Sequence, residues 1–324
     1  MAGVPPSAST VPAAGVAAGL SLGLALDAAI GDPRRGHPVA AFGVAAGRLE
    51  QWVWRDSRVA GASYTAVCVG APVLAGRWLS RAASRRPLLR TAMVAAATCS
   101  VIGGTSLGRE ASGISDALSS GDLALARRRL PALVGRDPSS LSADEVARAV
   151  VESVAENTSD AVVAPLLWGS VAGLPGLLGY RAVNTLDAMV GHRSARYERF
   201  GWASARLDDA ANWVPARLTG WLAVALAPAV GGSRTAAAAV LRRDGAAHPS
   251  PNSGRCEAAF AGALGVTLGG RNHYAGRVED RPLLGDGPAV GVEDVERAVR
   301  LSVLVSRTAG AVLVALLLLR PRRP

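Results

Sequence analysis

Residues Val151 to Asp187 read VESVAENTSDAVVAPLLWGSVAGLPGLLGYRAVNTLD. An acid-rich helical pattern comes first, then 20 uncharged residues from Ala161 to Tyr180, then a second polar cluster. Glu152, Glu156 and Asp160 stand at i, i+4 and i+8, and Arg181, Asn184 and Asp187 at i, i+3 and i+6. Each set therefore lies on one face of its helix. Pro165, Gly169, Gly173, Pro175 and Gly176 punctuate the uncharged stretch. A single spanning helix would leave Glu152 and Asp187 on opposite sides of a membrane. A break at Gly173-Leu-Pro-Gly176 with re-entry would return them to one side. Irregular backbone at membrane depth is tolerated where it lines a cavity, and the broken or re-entrant form is the expectation here.

The wider composition agrees with a membrane setting. Half of the 324 residues are hydrophobic, mean hydropathy is +0.25, and only 4% are aromatic. A long apolar run extends from Val11 to about Ile30, with Asp27 near its end, and uncharged runs follow at Val59–Gly76 and Thr91–Gly108. Leu301–Leu319 is also apolar but contains Arg307, which has to sit near an interface where it can snorkel. The expected fold is an all-α, polytopic integral membrane protein. About four to six helices are embedded, one segment is broken or re-entrant, and amphipathic helices lie in the cytoplasm. One membrane domain is expected to cover residues 1–324, with a disordered start at 1–10. Arg34 and Arg35 follow the first apolar run and place that loop on the cytoplasmic side.

Charge and chemistry narrow the function. The net charge is +10 and every base is Arg, because the chain has no Lys. That excludes a lysine nucleophile or Schiff base. The Arg residues are dispersed and almost no aromatics interleave with them, so nucleic acid is not an expected partner. Cys68, Cys99 and Cys256 form no CxxC, and the four His show no HxxxH or HExxH spacing, which argues against a zinc site. Gly104-Thr-Ser-Leu-Gly108 matches a nucleophile-elbow pattern but ends an apolar helix instead of a strand. Ser142-Ala-Asp-Glu145 is a capping box that starts a helix at Ala143, with Val146, Val150 and Val154 as its apolar stripe.

Two further constellations carry chemistry. In Arg206-Leu-Asp-Asp-Ala-Ala-Asn212, the adjacent Asp208 and Asp209 with Asn212 suit a hard, oxygen-bound cation such as Mg²⁺ shared with substrate phosphates. Ser250-Pro-Asn-Ser-Gly254 reads as a loop whose amides would cradle an anion, or as a plain turn, with Glu257 just inside the next helix.

Taken together these stretches resemble the adenosylcobinamide-phosphate synthase family, the CobD/CbiB membrane proteins of cobalamin biosynthesis. The resemblance rests on Gly31-Asp-Pro33 with His37-Pro38, Val134-Gly-Arg-Asp137, Glu152–Pro165, Tyr180–Gly191, Ala205–Arg217 and Ser250–Gly254 with Ala258–Gly265. Arg255-Cys256 stands where the family pattern has Trp-Pro, Arg181 where Lys is frequent, and Ala161 where Gly is frequent.

What the resemblance implies is an acid-amine ligase. It would join a propionate carboxylate of adenosylcobyric acid to the amine of (R)-1-amino-2-propanol phosphate, using ATP and Mg²⁺. Glu152, Glu156, Asp160, Asp187, Asp208 and Asp209 form the pool for a base and metal ligands, with Asp160, Asp208 and Asp209 as the metal set. Asp32, His37, Asn157, Arg181, Asn184, Arg206, Asn212, Arg217, Asn252, Ser253 and Glu257 would hold substrate and phosphate. The partners implied are the corrinoid, membrane lipid and other membrane-bound late enzymes of the pathway, and an oligomer is open. The clustered acids also suit two other readings: a Mg²⁺-dependent transferase acting on a prenyl or lipid diphosphate, and a non-catalytic transporter or scaffold.

Overall fold

Gly173 takes a positive φ of 64° and breaks the central apolar segment into two helices. The computed structural model describes residues 13–31, 37–192, 194–274 and 277–319. The start at 1–10, Asp32, Arg34 and Arg35 lie outside them. The helices before the break are α1 (Ala13–Ile30), α2 (Pro38–Val53), α3 (Arg58–Ala82), α4 (Pro87–Val101), α5 (Gly104–Ser119), α6 (Leu123–Arg129), α7 (Ala143–Thr158) and α8 (Ala164–Ala172). After it come α9 (Leu174–Leu186), α10 (Trp202–Ala211), α11 (Trp213–Leu226), α12 (Arg234–Asp244) and α13 (Ser253–Leu264). A two-stranded antiparallel hairpin, β1 (Leu268–Tyr274) and β2 (Arg277–Leu284), precedes α14 (Val292–Leu318). The chain is thus a helical, polytopic membrane protein. Its one small sheet among the described residues falls in the Gly-rich stretch that carries no helical or alternating pattern.

Among the described residues, five helical stretches are long and apolar enough to cross a membrane: Ala13–Ile30, Arg58–Ala82, Pro87–Ser119, Trp213–Val230 and Val292–Leu318. Their outer faces show large apolar side chains, among them Leu22, Val67, Leu74, Trp221 and Leu316. Such exposure suits lipid, not water. Two expected boundaries move. The run Thr91–Gly108 is interrupted, since α4 ends at Val101 and α5 begins at Gly104. Asp27 of α1 caps the new start, because its Oδ2 accepts from the Thr105 amide at 3.2 Å and hydroxyl at 3.0 Å. The run from Val59 extends as helix to Ala82, which carries Arg77 and Arg81 within α3.

Small residues let the helices close up. A Cβ on Gly19 would lie 2.6 Å from Val94 and one on Gly23 2.4 Å from Thr98, so the Gly-x-x-x-Gly face of α1 seats directly on α4. That is the usual device where lipid supplies no hydrophobic drive between helices. α9 packs against both α3 and α4, while α8 packs against α1 and α14. The two arms of the broken segment also pack on each other, so it forms a re-entrant hairpin. Behind it, α7, α11, α13 and α14 build a second core of Ala and Val.

The capping box forms as the sequence indicates, but the face opposite the Val146/Val150/Val154 stripe is not a solvated surface. Glu152 is buried, as are Ala149, Val151 and Ser153. α13 and β1 cover that side.

The hairpin can be tested at its apex. A Cβ at position 176 would fall 2.0 Å from the Trp168 carbonyl oxygen, so Gly176→Val is expected to prevent a stable fold in detergent. Gly173→Ala keeps the space but forces a side chain to positive φ, and is expected to cost about 1–3 kcal/mol in a thermal or denaturant melt. A Gly173→Ala protein as stable as the wild type would contradict the broken hairpin.

Candidate active site

Tyr180 closes the mouth of the re-entrant hairpin. Its hydroxyl lies 2.8 Å from Asn212 Oδ1 and 3.1 Å from the Asp160 carbonyl, both acceptors that share its single proton. Asn212 is buried and its Nδ2 donates to Asp208 Oδ2 at 2.9 Å. The start of α8, the middle of α9 and the end of α10 are thereby tied into one site. Both flanking acids sit in π-turns, Asp160 in Ser159–Val163 and Asp187 in Asp187–Gly191. An inserted residue of this kind re-aims side chains and recurs at functional sites.

The acids in this site crowd one another. Burial, and then the charge of Asp209, pushes Asp187 up to about 6, against the pull of His192. Burial and then Asp187 push Asp208 up to about 7, although the amides of Asn212 and Asn184 oppose this. Asp160 is held well above the carboxylate range by burial, then by Asp208, Glu156 and Asp187, with Arg181 opposing. Asp208 Oδ1 is buried and has no hydrogen-bond partner among the described residues. A set of carboxylate oxygens short of positive charge fits a hard divalent cation such as Mg²⁺.

Asp209 plays a different part from its neighbour. Its carboxylate is partly exposed and lies 3.8 Å from Arg206, while its carbonyl accepts from Asn252 Nδ2 at 2.8 Å. Adjacent positions on a helix point about 100° apart, so sequence adjacency did not make the two acids a pair. Arg181 points Nη1 at Asn184 Oδ1, 3.3 Å away, on the same face of α9.

The stripe continues up α7 into a second cluster. Glu156, His248 and Glu257 bring one oxygen or nitrogen each to within 4.8 Å of one another. Glu152, one turn further, is enclosed. Arg136 Nη2 donates to one of its oxygens and the Gly269 amide, at 2.8 Å, to the other. Glu152 is therefore a satisfied buried ion pair that anchors the loop before α7 and the β-hairpin. Arg136 comes from the Val-Gly-Arg-Asp stretch.

The remaining candidates lie around this centre or apart from it. Asn157 Nδ2 bonds back to Ser153. His37 caps α2, its Nδ1 accepting from the Val39 amide at 3.2 Å. Arg217 stacks on Trp213, 3.9 Å from the ring centroid. The Ser250 loop does not offer its amides to an anion. Ser250 N donates to His248 Nδ1, and the amides of Asn252 and Ser253 reach Ser250 Oγ at 3.4 and 3.2 Å. The loop is a turn that its own side chains satisfy. Tyr180 and His248 were not picked out by spacing. Tyr180 closes an apolar run, and His248 lies in a loop outside every set of acids at helical spacing.

Comparison with known proteins agrees with this architecture. The CobD/Cbib protein family model matches residues 20–302. A cobalamin biosynthesis protein CobD of Mycobacterium tuberculosis (strain CDC 1551 / Oshkosh) is 54% identical over 308 residues, covering 95% of this chain and 97% of that one. The protein of the same name from Geobacter metallireducens is 48% identical over 266 residues (81% and 84% covered). One from Rhodobacter capsulatus is 42% identical over 298 residues (88% and 92% covered). No solved structure matches the chain. With a family match over most of its length and relatives that it covers nearly end to end, the chain belongs to the CobD/CbiB family.

Proposed function

We propose that this protein acts in cobalamin biosynthesis as adenosylcobinamide-phosphate synthase. It joins a propionate carboxylate of adenosylcobyric acid to the amine of (R)-1-amino-2-propanol phosphate with ATP as co-substrate. The observation that carries this reading is the convergence of Asp160, Asp187 and Asp208 beside Arg181 at the mouth of the hairpin. Membership in the CobD/CbiB family favours it over a prenyl-diphosphate transferase or a transporter.

The chemistry follows from the inertness of a carboxylate towards an amine. A carboxylate oxygen first attacks the γ-phosphorus of ATP, and the bond to ADP breaks. The amine then attacks the acyl carbon, a C–N bond replaces the C–O bond, and phosphate leaves. Asp160, Asp187 and Asp208 would hold Mg²⁺, with Asn212 and Asn184 orienting Asp208. When bound, the ion offsets phosphate charge as that charge redistributes. Arg181 stands where a guanidinium can take phosphoryl oxygens in a forked contact. ATP and both other substrates are soluble and charged, so the site faces the cytoplasm in this reading. A cysteine placed at exposed Ser139, next to the Arg136 loop, should escape an impermeant thiol reagent added outside intact cells; labelling from outside would reverse the orientation.

The direct test is turnover on purified protein, with product followed by mass. Amide product that depends on all three substrates is expected, and its absence would remove the ligase reading. Asp208→Asn should lower turnover by at least about tenfold while the melting temperature holds or rises, because one repelling charge is gone. Glu145→Gln, in the capping box, is the control: it should cost about 1 kcal/mol and leave turnover intact. Equal inactivation of both would make the effect structural.

Proton linkage gives a second check. Asp187 and Asp208, with folded values of about 6 and about 7, bind more protons folded than unfolded above the ordinary carboxylate range. Stability without divalent ions should therefore fall as pH rises from that range through about 7. Mg²⁺ should flatten the fall, as should Asp208→Asn. A metal-free protein whose stability rises over that window would show that these acids do not repel.

A further inference from the structure

The cluster at Glu156, His248 and Glu257 lies one turn along α7 from the acids assigned to Mg²⁺. Glu257, near the start of α13, is 0% exposed; no N–H donor among the described residues reaches either of its oxygens, and burial, then the Glu156 carboxyl it meets, hold it well above the ordinary carboxylate range. Leaving a carboxylate buried without donors is costly, so a ligand that brings N–H groups would complete the site. Glu156 is partly exposed and gives the cluster its open side.

The imidazole decides against a metal. His248 Nδ1 accepts from the Ser250 amide at 3.0 Å, so the neutral ring carries its proton on Nε2. That nitrogen faces Glu257 Oε1 at 3.7 Å. A protonated ring nitrogen has no lone pair for a cation. Burial, and then the nearby Arg281 charge, holds the ring below its ordinary range and so neutral. The acceptors left are the two carboxylates, and a primary ammonium supplies three N–H donors and one positive charge to match them.

We propose that Glu156 and Glu257, with His248 as a positioning residue behind them, form the receptor for a primary ammonium group, the amine end of a phospho-amino alcohol. The identity of that ligand rests on the amide-forming function above. The placement also serves the reaction. Glu156 and Asp160 are neighbours at i, i+4, about 5–6 Å between Cβ atoms, so the amine is held beside the acids that handle the phosphoryl group. Glu156 takes one proton from the ammonium, the freed lone pair forms the C–N bond, and the second proton leaves with the departing phosphate.

Calorimetric titration in detergent, without ATP, tests this with two ligands: 1-amino-2-propanol phosphate and isopropyl phosphate, its counterpart without the amine. The wild type should prefer the amine by about tenfold or more, the size of one charge-assisted hydrogen bond. Glu257→Gln and Glu156→Gln should both abolish that preference while isopropyl phosphate still binds, which also reports that each variant is folded. If Glu257→Gln binds neither ligand, the partly exposed Glu156 variant decides. Loss of isopropyl phosphate binding in both overturns the proposal, because acids that hold only the amine do not hold the phosphate. A wild type without preference overturns it, as do variants that keep it. Amine preference without amide product would leave the receptor standing and remove the ligase reading; amide product with an unaltered preference in the variants would do the reverse.

Discussion

The shared proton of Tyr180 is the contact on which the active centre depends. It links the Asp160 carbonyl, on the descending arm of the re-entrant hairpin, to Asn212 at the end of α10. The hairpin itself exists because Gly173 adopts positive φ and Gly176 lets α9 pass against the Trp168 carbonyl. Without that reversal, Asp160 and Asp187 would sit roughly a bilayer apart, since about 27 helical residues rise about 40 Å. With it, the charge of Asp187 adds to the burial and neighbouring acids that hold Asp160 above the carboxylate range.

The surroundings hold this polar centre in place. α9 is held between α3 and α4, and α8 against α1 and α14. On the other side, Glu152 and Arg136 form a buried pair closed by the Gly269 amide. A buried pair of this kind contributes little net stability, and removing one partner is costly because the other is left uncompensated. Its effect is to hold the loop before α7 and the β-hairpin in place over the acid stripe. The acids along and around the stripe then range from a fully satisfied one, Glu152, to ones with unpartnered oxygens, Glu257 on α13 and Asp208 on α10. That gradient separates scaffold from site more sharply than residue type does.

Local physical rules explain what could be read without a structure. The Glu152/Glu156/Asp160 stripe, the capping box at Ser142 and the break at Gly173 are short-range features. Each is a matter of helical spacing, an orphan amide or backbone sterics, so sequence carries them directly. The membrane character was equally legible, because lipid demands long apolar helices whatever their neighbours. The β-hairpin was not, since its Gly-rich strands lack alternation and are held by Glu152 and Arg148 on α7.

The sequence by itself determined that acids and amides would stand on common helix faces beside a broken apolar segment. It left open which of them meet. Asp208 and Asp209 looked alike on paper, yet one is held by Asn212 with its Oδ1 buried and the other pairs with Arg206. His248 carried no spacing signal at all, and Glu257 drew its place from a loop that reads as a turn. The Asp208–Asn212 and Arg206–Asp209 contacts are local, but only the tertiary structure brought Tyr180 to Asn212 and Glu156 to His248 and Glu257, because these join helices far apart in the chain. Their energies come from burial and from charges brought together across that separation, which no local window of sequence contains.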